Sequence, residues 1–318
     1  MQRCLSPEDM LEDFRQEARE GLTAPAKSIP SKWFYDKRGS ELFEEISRLP
    51  EYYLTRSERR ILTSRADIIA MKSGADTLIE LGSGTSEKTR LLLDAFLRSG
   101  ALRRFVPFDV DEATLRQSAA MLMERYPNIE VDGIVGDFEK HLDAIESSGR
   151  SLVIFLGSTI GNLDKQRRRV FLKDLVGTLK PGDTFLLGAD LVKDISVLEA
   201  AYNDAAGVTA RFNLNVLSVM NRELGANFDL DAFEHLALFD RQDEAVHMWL
   251  RSAVNQVVEV SALNMRVGFS AGELLHTEIS SKFRRAGLET ELTEAGLEPA
   301  GWWTDSSGNF ALSLSVKV

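Results

Sequence analysis

Cysteine is almost absent from this chain of 318 residues: there is one, Cys4. A lone thiol closes no internal disulfide, so the expectation is a fold held by its core, in the cytoplasm, with Cys4 in a mobile N-terminus. Histidine is scarce too. His141, His235, His247 and His276 form neither H-E-x-x-H nor a tight helical pair, so no metal is expected. Positive charge is outnumbered, 38 Lys and Arg against 49 Asp and Glu, a net charge of −11. That balance speaks against nucleic acid, whose binders carry a basic face. The densest basic cluster, Arg167, Arg168 and Arg169 beside Lys165, reads as a solvated helix face. No apolar run approaches the roughly 20 residues of a membrane span. The opening MQRCLSPEDMLEDFRQEAREGL has no apolar secretion core and is too acidic for a transit peptide. Internal repeats and low-complexity tracts are missing as well.

What is present is ordinary for a globular protein: 44% hydrophobic and 27% charged residues. The length suits two domains or one enlarged α/β domain. Ser6-Pro7-Glu8-Asp9 starts a helix, with Leu11, Phe14 and Ala18 at helical spacing. Pro25, Pro30 and Pro50 then break an aromatic-rich stretch into short pieces. From Ser57 helices and strands alternate. Strands are expected at 77–81, 105–108, 129–135, 152–156 and 184–188, each followed by a loop rich in Gly, Asp, Ser or Asn, and the fifth ending at Asp190. Such alternation predicts a parallel sheet covered on both faces, with ligands beyond the carboxyl ends of the strands. After Asp190 the alternation stops, and 191–282 reads as an inserted block of helices and long antiparallel strands. A helix over 283–295 and two strands, 298–303 and 310–316, joined by a turn at Asp305-Ser306-Ser307-Gly308, complete the chain. The division expected is an N-terminal arm 1–56, a first sheet segment 57–190, the insertion 191–282 and a C-terminal return 283–318.

Five parallel strands with a terminal antiparallel hairpin suit the Rossmann-like methyltransferase sheet. The first loop separates cofactors. A dinucleotide site wants G-x-G-x-x-G, but Glu87 stands where the third glycine belongs, and an acid there repels a pyrophosphate. S-adenosylmethionine has no phosphate, and Glu80-x-Gly82-x-Gly84 suits it. The glycines admit the ligand to the backbone, and Thr85, Ser86 and Lys88 are placed to reach the methionyl carboxylate at a helix N-terminus. Asp109, after the second strand, is positioned for the ribose hydroxyls. Asp137 and Phe138, after the third, are positioned for the adenine amine and ring. Helix capping is the alternative reading of either aspartate alone.

Longer motifs carry a resemblance. They are K-S-I-P-S-K-W-F-Y-D (27–36), L-P-E-Y-Y-L-T-R (49–56), E-L-G-S-G-T-S-E-K-T-R (80–90), P-F-D-V-D (107–111), G-D-F-E (136–139), F-L-G-S-T-I-G-N-L (155–163), D-L-V-K-D (190–194), A-Y-N-D-A-A-G-V-T-A (201–210), F-N-L-N-V-L (212–217), D-A-F-E-H (231–235), M-W-L-R (248–251) and T-E-I-S-S-K-F (277–283). Over nearly its whole length the chain resembles the actinobacterial L-histidine Nα-methyltransferases of ergothioneine biosynthesis. The resemblance implies a methyltransferase domain, plus a substrate domain built from the N-terminal arm and the insertion. It implies that Tyr52, Asn162 and Tyr202 hold the substrate carboxylate, and that Asn162 and the backbone at Gly157 orient the amine. It further implies that Glu278 and Ser280 take the imidazole edge, that Tyr35 stands near the other ring nitrogen, and that Met248 packs by the ring. One departure is visible. Leu54 stands where proline is common in the family, which alters loop stiffness rather than chemistry.

These residue types suit methyl transfer to an amine. The nucleophile must be neutral and aimed, so orientation and a dry site matter more than a strong base. Asn162 and the tyrosine phenols orient without drawing off the lone pair, and aromatic rings tolerate a growing ammonium. A buried acceptor such as Glu278 penalises side chains that cannot donate to it. The expectation is therefore three transfers from S-adenosylmethionine to L-histidine, through mono- and dimethyl intermediates to the betaine hercynine, by a monomer. The alternatives are an N-methyltransferase for tryptophan or another aromatic amino acid, a non-catalytic S-adenosylmethionine-binding protein and, more weakly, a dehydrogenase.

Overall fold

A computed structural model of the chain describes residues 1–146 and 149–318. Its strands are β1 (Gln2–Arg3), β2 (Thr77–Leu81), β3 (Arg104–Asp109), β4 (Glu130–Val131), β5 (Ile134–Val135), β6 (Ser151–Phe155), β7 (Thr184–Asp190), β8 (Phe233–Asp240), β9 (Ala245–Ser252), β10 (Gln256–Val260), β11 (Met265–Phe269), β12 (Leu274–Ser281), β13 (Leu297–Thr304) and β14 (Phe310–Lys317). Its α-helices are α1 (Pro7–Thr23), α2 (Lys37–Arg48), α3 (Leu54–Ser73), α4 (Arg90–Ser99), α5 (Glu112–Arg125), α6 (Lys165–Thr178), α7 (Ile195–Tyr202), α8 (Val208–Leu224) and α9 (Arg285–Glu294). The described residues form two compact units: Met1–Ser6, Leu54–Val192 and Lys282–Val318 in the first, Pro7–Tyr53 and Lys193–Ser281 in the second.

The first unit is an α/β sheet in the order β1-β5-β3-β2-β6-β7-β14-β13, with β4 beside β3. Pairing is parallel from β1 to β7, and β14 and β13 join antiparallel. All five residues of β2 are buried, as are all five of β6. Such unbroken burial is what a parallel strand covered on both faces requires. Ile79, Leu81, Val106, Phe108, Val153, Phe155, Phe185 and Leu187 build the core of this sheet. The chain runs from β2 to β3 on one side and later places β6 on the other. That reversal of strand order opens a crevice beyond the carboxyl ends of β2, β3 and β6.

The second unit holds the sheet β12-β9-β8, the separate hairpin β10–β11, and helices α1, α2, α7 and α8. Helix α8 packs on β8 and β9 and also on α2. Its buried Phe212, Val216, Leu217 and Met220 supply the apolar surface for that packing.

Three expectations are corrected. Residues 1–6 belong to the first unit rather than to the arm: Gln2 and Arg3 pair with Ile134 and Val135, and Cys4 N–H donates to Val135 O at 2.8 Å. Cys4 is therefore half-buried beside an edge strand and not in a mobile tail. The strand expected over 129–135 is two short ones, β4 and β5. Arg168 is no solvated residue, for it is 6% exposed. It pairs with Glu291 at 2.6 Å and lies over the Phe283 ring.

Candidate active site

In the first unit the loop after β2 is built for close approach. Gly82 and Gly84 have φ of +64° and +48°, a region that penalises side chains, and nothing lies within 4 Å of where a Cβ on either would stand. Asp109 at the end of β3 holds this loop, since its Oδ2 accepts from Gly84 N–H at 2.7 Å and its Oδ1 from Asp111 N–H at 3.0 Å. It is Asp111 that caps α5, so Asp109 is left facing the loop. Burial raises the Asp109 carboxyl above its ordinary pKa, opposed by those N–H donors. Glu80 points inward, where its carboxylate accepts from the hydroxyls of Thr89 and Ser86. Burial pushes it up to about 7, opposed by Thr89, Ser86 and the charge of Lys88. The Ser86 proton is thus spent on Glu80 and not directed at a ligand carboxylate. Thr85 stays exposed. Ser83 Oγ, in the same loop, is buried and finds no partner among the described residues. The sequence reading passed over Ser83.

Lys88 is also partly engaged. Its ammonium pairs with Glu58, a fully buried carboxylate on α3 whose other oxygen accepts from Gly157 N–H at 2.8 Å. Glu58 was missed in the sequence, although the signal was there: it shares the helical stripe of Ile61, Leu62, Ala66 and Ile69, and an acid on an apolar stripe needs a partner. Gly188 on β7 admits it, since a Cβ there would collide with Glu58 Oε1. After β6, Gly157 and Ser158 both adopt left-handed backbone, and Ser158 Oγ accepts from Asp190 N–H at 2.9 Å. The short turn Thr159–Asn162 follows. Asp137 is buried and accepts from Glu139 N–H at 2.9 Å. Phe138 stands edge-on to Phe155, with centroids 5.0 Å apart.

The second unit gathers six of the expected residues. Tyr202, the last residue of α7, meets Ser280 Oγ at 2.7 Å through its phenol. The Tyr52 ring lies 6.3 Å from that of Tyr202 and 6.1 Å from Phe43. Tyr35, 38% exposed, leans edge-on against Phe43 and Phe212. A β-bulge in β12 decides which strand residues join them. Leu275 pairs with Leu250 and His276 with Trp249, but Glu278 pairs with Met248 and Ser280 with Val246, so Thr277 is an extra residue. Met248, Leu250 and Leu275 are buried on the inner face. The bulge puts Glu278 and Ser280 on that face, where strict alternation would leave them with His276 outside. Thr277 Oγ1 donates to Met248 O at 3.0 Å and fixes the bulge. Outside, His247 stacks on Trp249, and its Nδ1 lies 3.0 Å from His276 Nε2. Burial brings His276 down to about 4, helped by the neighbouring His247.

Residues 14–317 match the family described as histidine-specific methyltransferase, SAM-dependent. The chain belongs to this family. The methyltransferase is 56% identical over 313 residues to the histidine N-alpha-methyltransferase of Mycolicibacterium smegmatis, covering 98% of each chain. It is 53% identical over 304 residues to the enzyme of that name from Mycobacterium tuberculosis, covering 96% of this chain and 95% of the other. Ergothioneine biosynthesis protein 1 of Schizosaccharomyces pombe is 34% identical over 244 residues, which are 73% of this chain and 31% of that protein. The loop after β2 fits the family's cofactor. Open space over two glycines, an orphaned Ser83 hydroxyl and the two acids Asp109 and Asp137 suit a nucleoside that carries hydroxyls, an amine and no phosphate. Among the described residues no group of three or more His, Cys, Asp or Glu is placed to hold a metal ion, and no helix is long and apolar enough to cross a membrane.

Proposed function

We infer that this chain is an S-adenosylmethionine-dependent histidine Nα-methyltransferase, converting L-histidine to hercynine in the first step of ergothioneine biosynthesis. The observation that carries the substrate side is the bulge-set face of β12, which puts an acid, a hydroxyl and Met248 beside Tyr202 and Tyr52. The bound cofactor supplies a methyl group activated by a sulfonium. Gly82, Ser83, Gly84 and Thr85, the remaining ammonium protons of Lys88, the spare lone pairs of Asp109, and Asp137 with Phe138 are the residues that hold it in this reading.

The substrate roles divide by unit. In the second unit Glu278 accepts the imidazole N–H, Ser280 completes that edge, Tyr35 attends the other ring nitrogen and Met248 packs on the ring. Tyr52 and Tyr202 donate to the carboxylate. In the first unit Asn162 also serves the carboxylate, and with the Gly157 backbone it orients the amine. None of these groups is a strong base. The amine loses its proton to water, and the residues hold its lone pair in line. Mono- and dimethyl histidine are substrates of the later transfers, and the enzyme is a cytoplasmic monomer in this reading; size-exclusion chromatography and cell fractionation check those two points.

The test is mass spectrometry of the purified protein with S-adenosylmethionine and an equimolar amino-acid pool. Histidine gaining three methyl groups, with the other amino acids untouched, is the expected result. Methylated tryptophan would overturn the roles of Glu278 and Met248, and no product would overturn the enzymatic reading.

A further inference from the structure

The motifs F-N-L-N-V-L and D-A-F-E-H carry polar side chains as well as the apolar Phe212, Val216 and Leu217 that pack α8. The first supplies two buried asparagines on α8, Asn213 and Asn215, and the second a half-buried histidine, His235 on β8. Asn213 is fully buried. Its Nδ2 lies 2.9 Å from His235 Nδ1 and donates to Trp249 O at 3.1 Å. The other ring nitrogen, His235 Nε2, lies 2.9 Å from Tyr202 O. The ends of this chain of bonds fix its direction, because both carbonyls can only accept. Tyr202 O requires the proton on Nε2, which leaves Nδ1 of the neutral ring as an acceptor. Nδ1 then requires an N–H donor, and the Asn213 nitrogen that donates to Trp249 O is the one facing it. One tautomer and one amide orientation satisfy all three bonds. Burial lowers the His235 pKa and favours the neutral ring, against the opposing pull of the Tyr202 carbonyl and Asp204.

The recipient of this relay is a weak point in the chain. Tyr202 ends α7, so its carbonyl has no helical N–H to accept, and the next residue, Asn203, has left helical geometry with φ of −142°. His235 Nε2 stands at hydrogen-bond distance from that carbonyl. Two residues further on, Asp204 accepts from Val208 N–H at 2.9 Å and Thr209 N–H at 2.7 Å, tying the following turn to α8. The Tyr202 main chain is therefore gripped from α8 and β8, while its phenol meets Ser280 Oγ. Asn213 also leaves its own Oδ1 buried with no partner among the described residues. An apolar side chain would avoid that loss but would also remove the two donated bonds.

We propose that Asn213 and His235 are positioning residues that set Tyr202 for the substrate carboxylate. The proposal rests on the reading of Tyr202 as a carboxylate ligand. It gives each variant a signature that loss of packing alone lacks. His235→Leu removes the bond to Tyr202 O, and His235→Gln keeps an N–H at the Nε2 end. Calorimetric titration would compare L-histidine, histamine (which lacks the carboxylate) and S-adenosylmethionine. The expected result for His235→Leu is about tenfold weaker histidine binding, about 1.4 kcal/mol, with histamine and S-adenosylmethionine within about twofold of the parent. His235→Gln should recover most of the loss. Asn213→Leu reads the relay from its other end, with the same split expected, and serves if His235→Leu does not fold. Equal losses for histidine and histamine, or parent-like histidine binding in both leucine variants, would overturn the proposal. Nitrogen-15 NMR gives an independent check: at neutral pH His235 should be the neutral Nε2–H tautomer, and an Nδ1–H tautomer would overturn the relay. A parent protein that binds no histidine would instead refute the functional reading, before any variant is made.

Discussion

Glu58→Gln is the most informative single change in the first unit. The substitution keeps size and shape, and it leaves a carbonyl oxygen to accept from Gly157 N–H. That bond becomes neutral where it had been charge-assisted, a loss of about 1 kcal/mol. The pairing with Lys88 is lost outright. Breaking a wholly buried pair costs about 3–5 kcal/mol, but the Lys88 side chain is 24% exposed and can turn toward water, so the cost falls to about 1–2 kcal/mol. The two losses sum to about 2–3 kcal/mol. For a unit of this size each kcal/mol moves Tm by about 2–4 °C, so Tm should fall by roughly 5–10 °C. Calorimetry on the parent, Glu58→Gln, Lys88→Met and the double variant closes a thermodynamic cycle. The coupling between the two positions should be about 1–2 kcal/mol. An additive double variant, or a Glu58→Gln protein that melts with the parent, would refute the argument.

Three further outcomes are expected. Glu278→Gln should lower kcat/KM for histidine by about 1.5–3 kcal/mol, the contribution of a charge-assisted hydrogen bond; an unchanged value removes Glu278 from the pocket. Ser83→Ala should leave the ligand-free Tm unchanged or slightly raised, because its hydroxyl has no partner to lose; cofactor binding should weaken about two- to tenfold, and equal affinity in titration would contradict the fit of the loop. Stability against pH should reveal two opposed groups. Glu80 is raised from 4.5 to about 7, so its contribution to stability is complete below 4.5 and is lost as pH rises through 7, about 3 kcal/mol in all. His276 is lowered from 6.5 to about 4, so its contribution is present above 6.5 and is lost as pH falls through 4. Glu80→Gln should therefore steepen the acid-side loss of Tm between pH 4.5 and 6.5, and His276→Gln should flatten it; two variants with the parent's profile would contradict both assignments.

The parallel sheet was legible because its strands are short apolar runs ending in loop residues, and burial on both faces demands that pattern. Thr77–Leu81 needed no correction at all. Strand β1 was illegible because Gln2 and Arg3 have no apolar pattern, and only the backbone of β5 makes them a strand. The arginine triplet misled for a geometric reason. Helical rotation sends Arg167 to Glu139, Arg168 to a buried place beside Glu291 and Arg169 to Glu294, so adjacency in sequence is not a shared face. At the candidate site the order of the loops along the sheet was readable, and the substrate residues' roles came only from the resemblance. Partner choice was not readable. Ser86 and Lys88 turn to Glu80 and Glu58, and the second of these comes from a helix 30 positions earlier. The inner-face position of Glu278 and Ser280 was equally hidden, because it depends on a register shift that an alternating pattern does not announce.

That register shift makes the pocket a matter of counting as well as of chemistry. If Thr277 paired as an ordinary strand residue, β12 would run along β9 without interruption, and either the residues before it or those after it would turn over. If Leu275 kept its place, Glu278 and Ser280 would stand with His247 and Trp249, away from Tyr202. Deleting Thr277 would instead take out the extra residue itself, leaving Leu275 opposite Leu250 and Glu278 opposite Met248 on the same inner face.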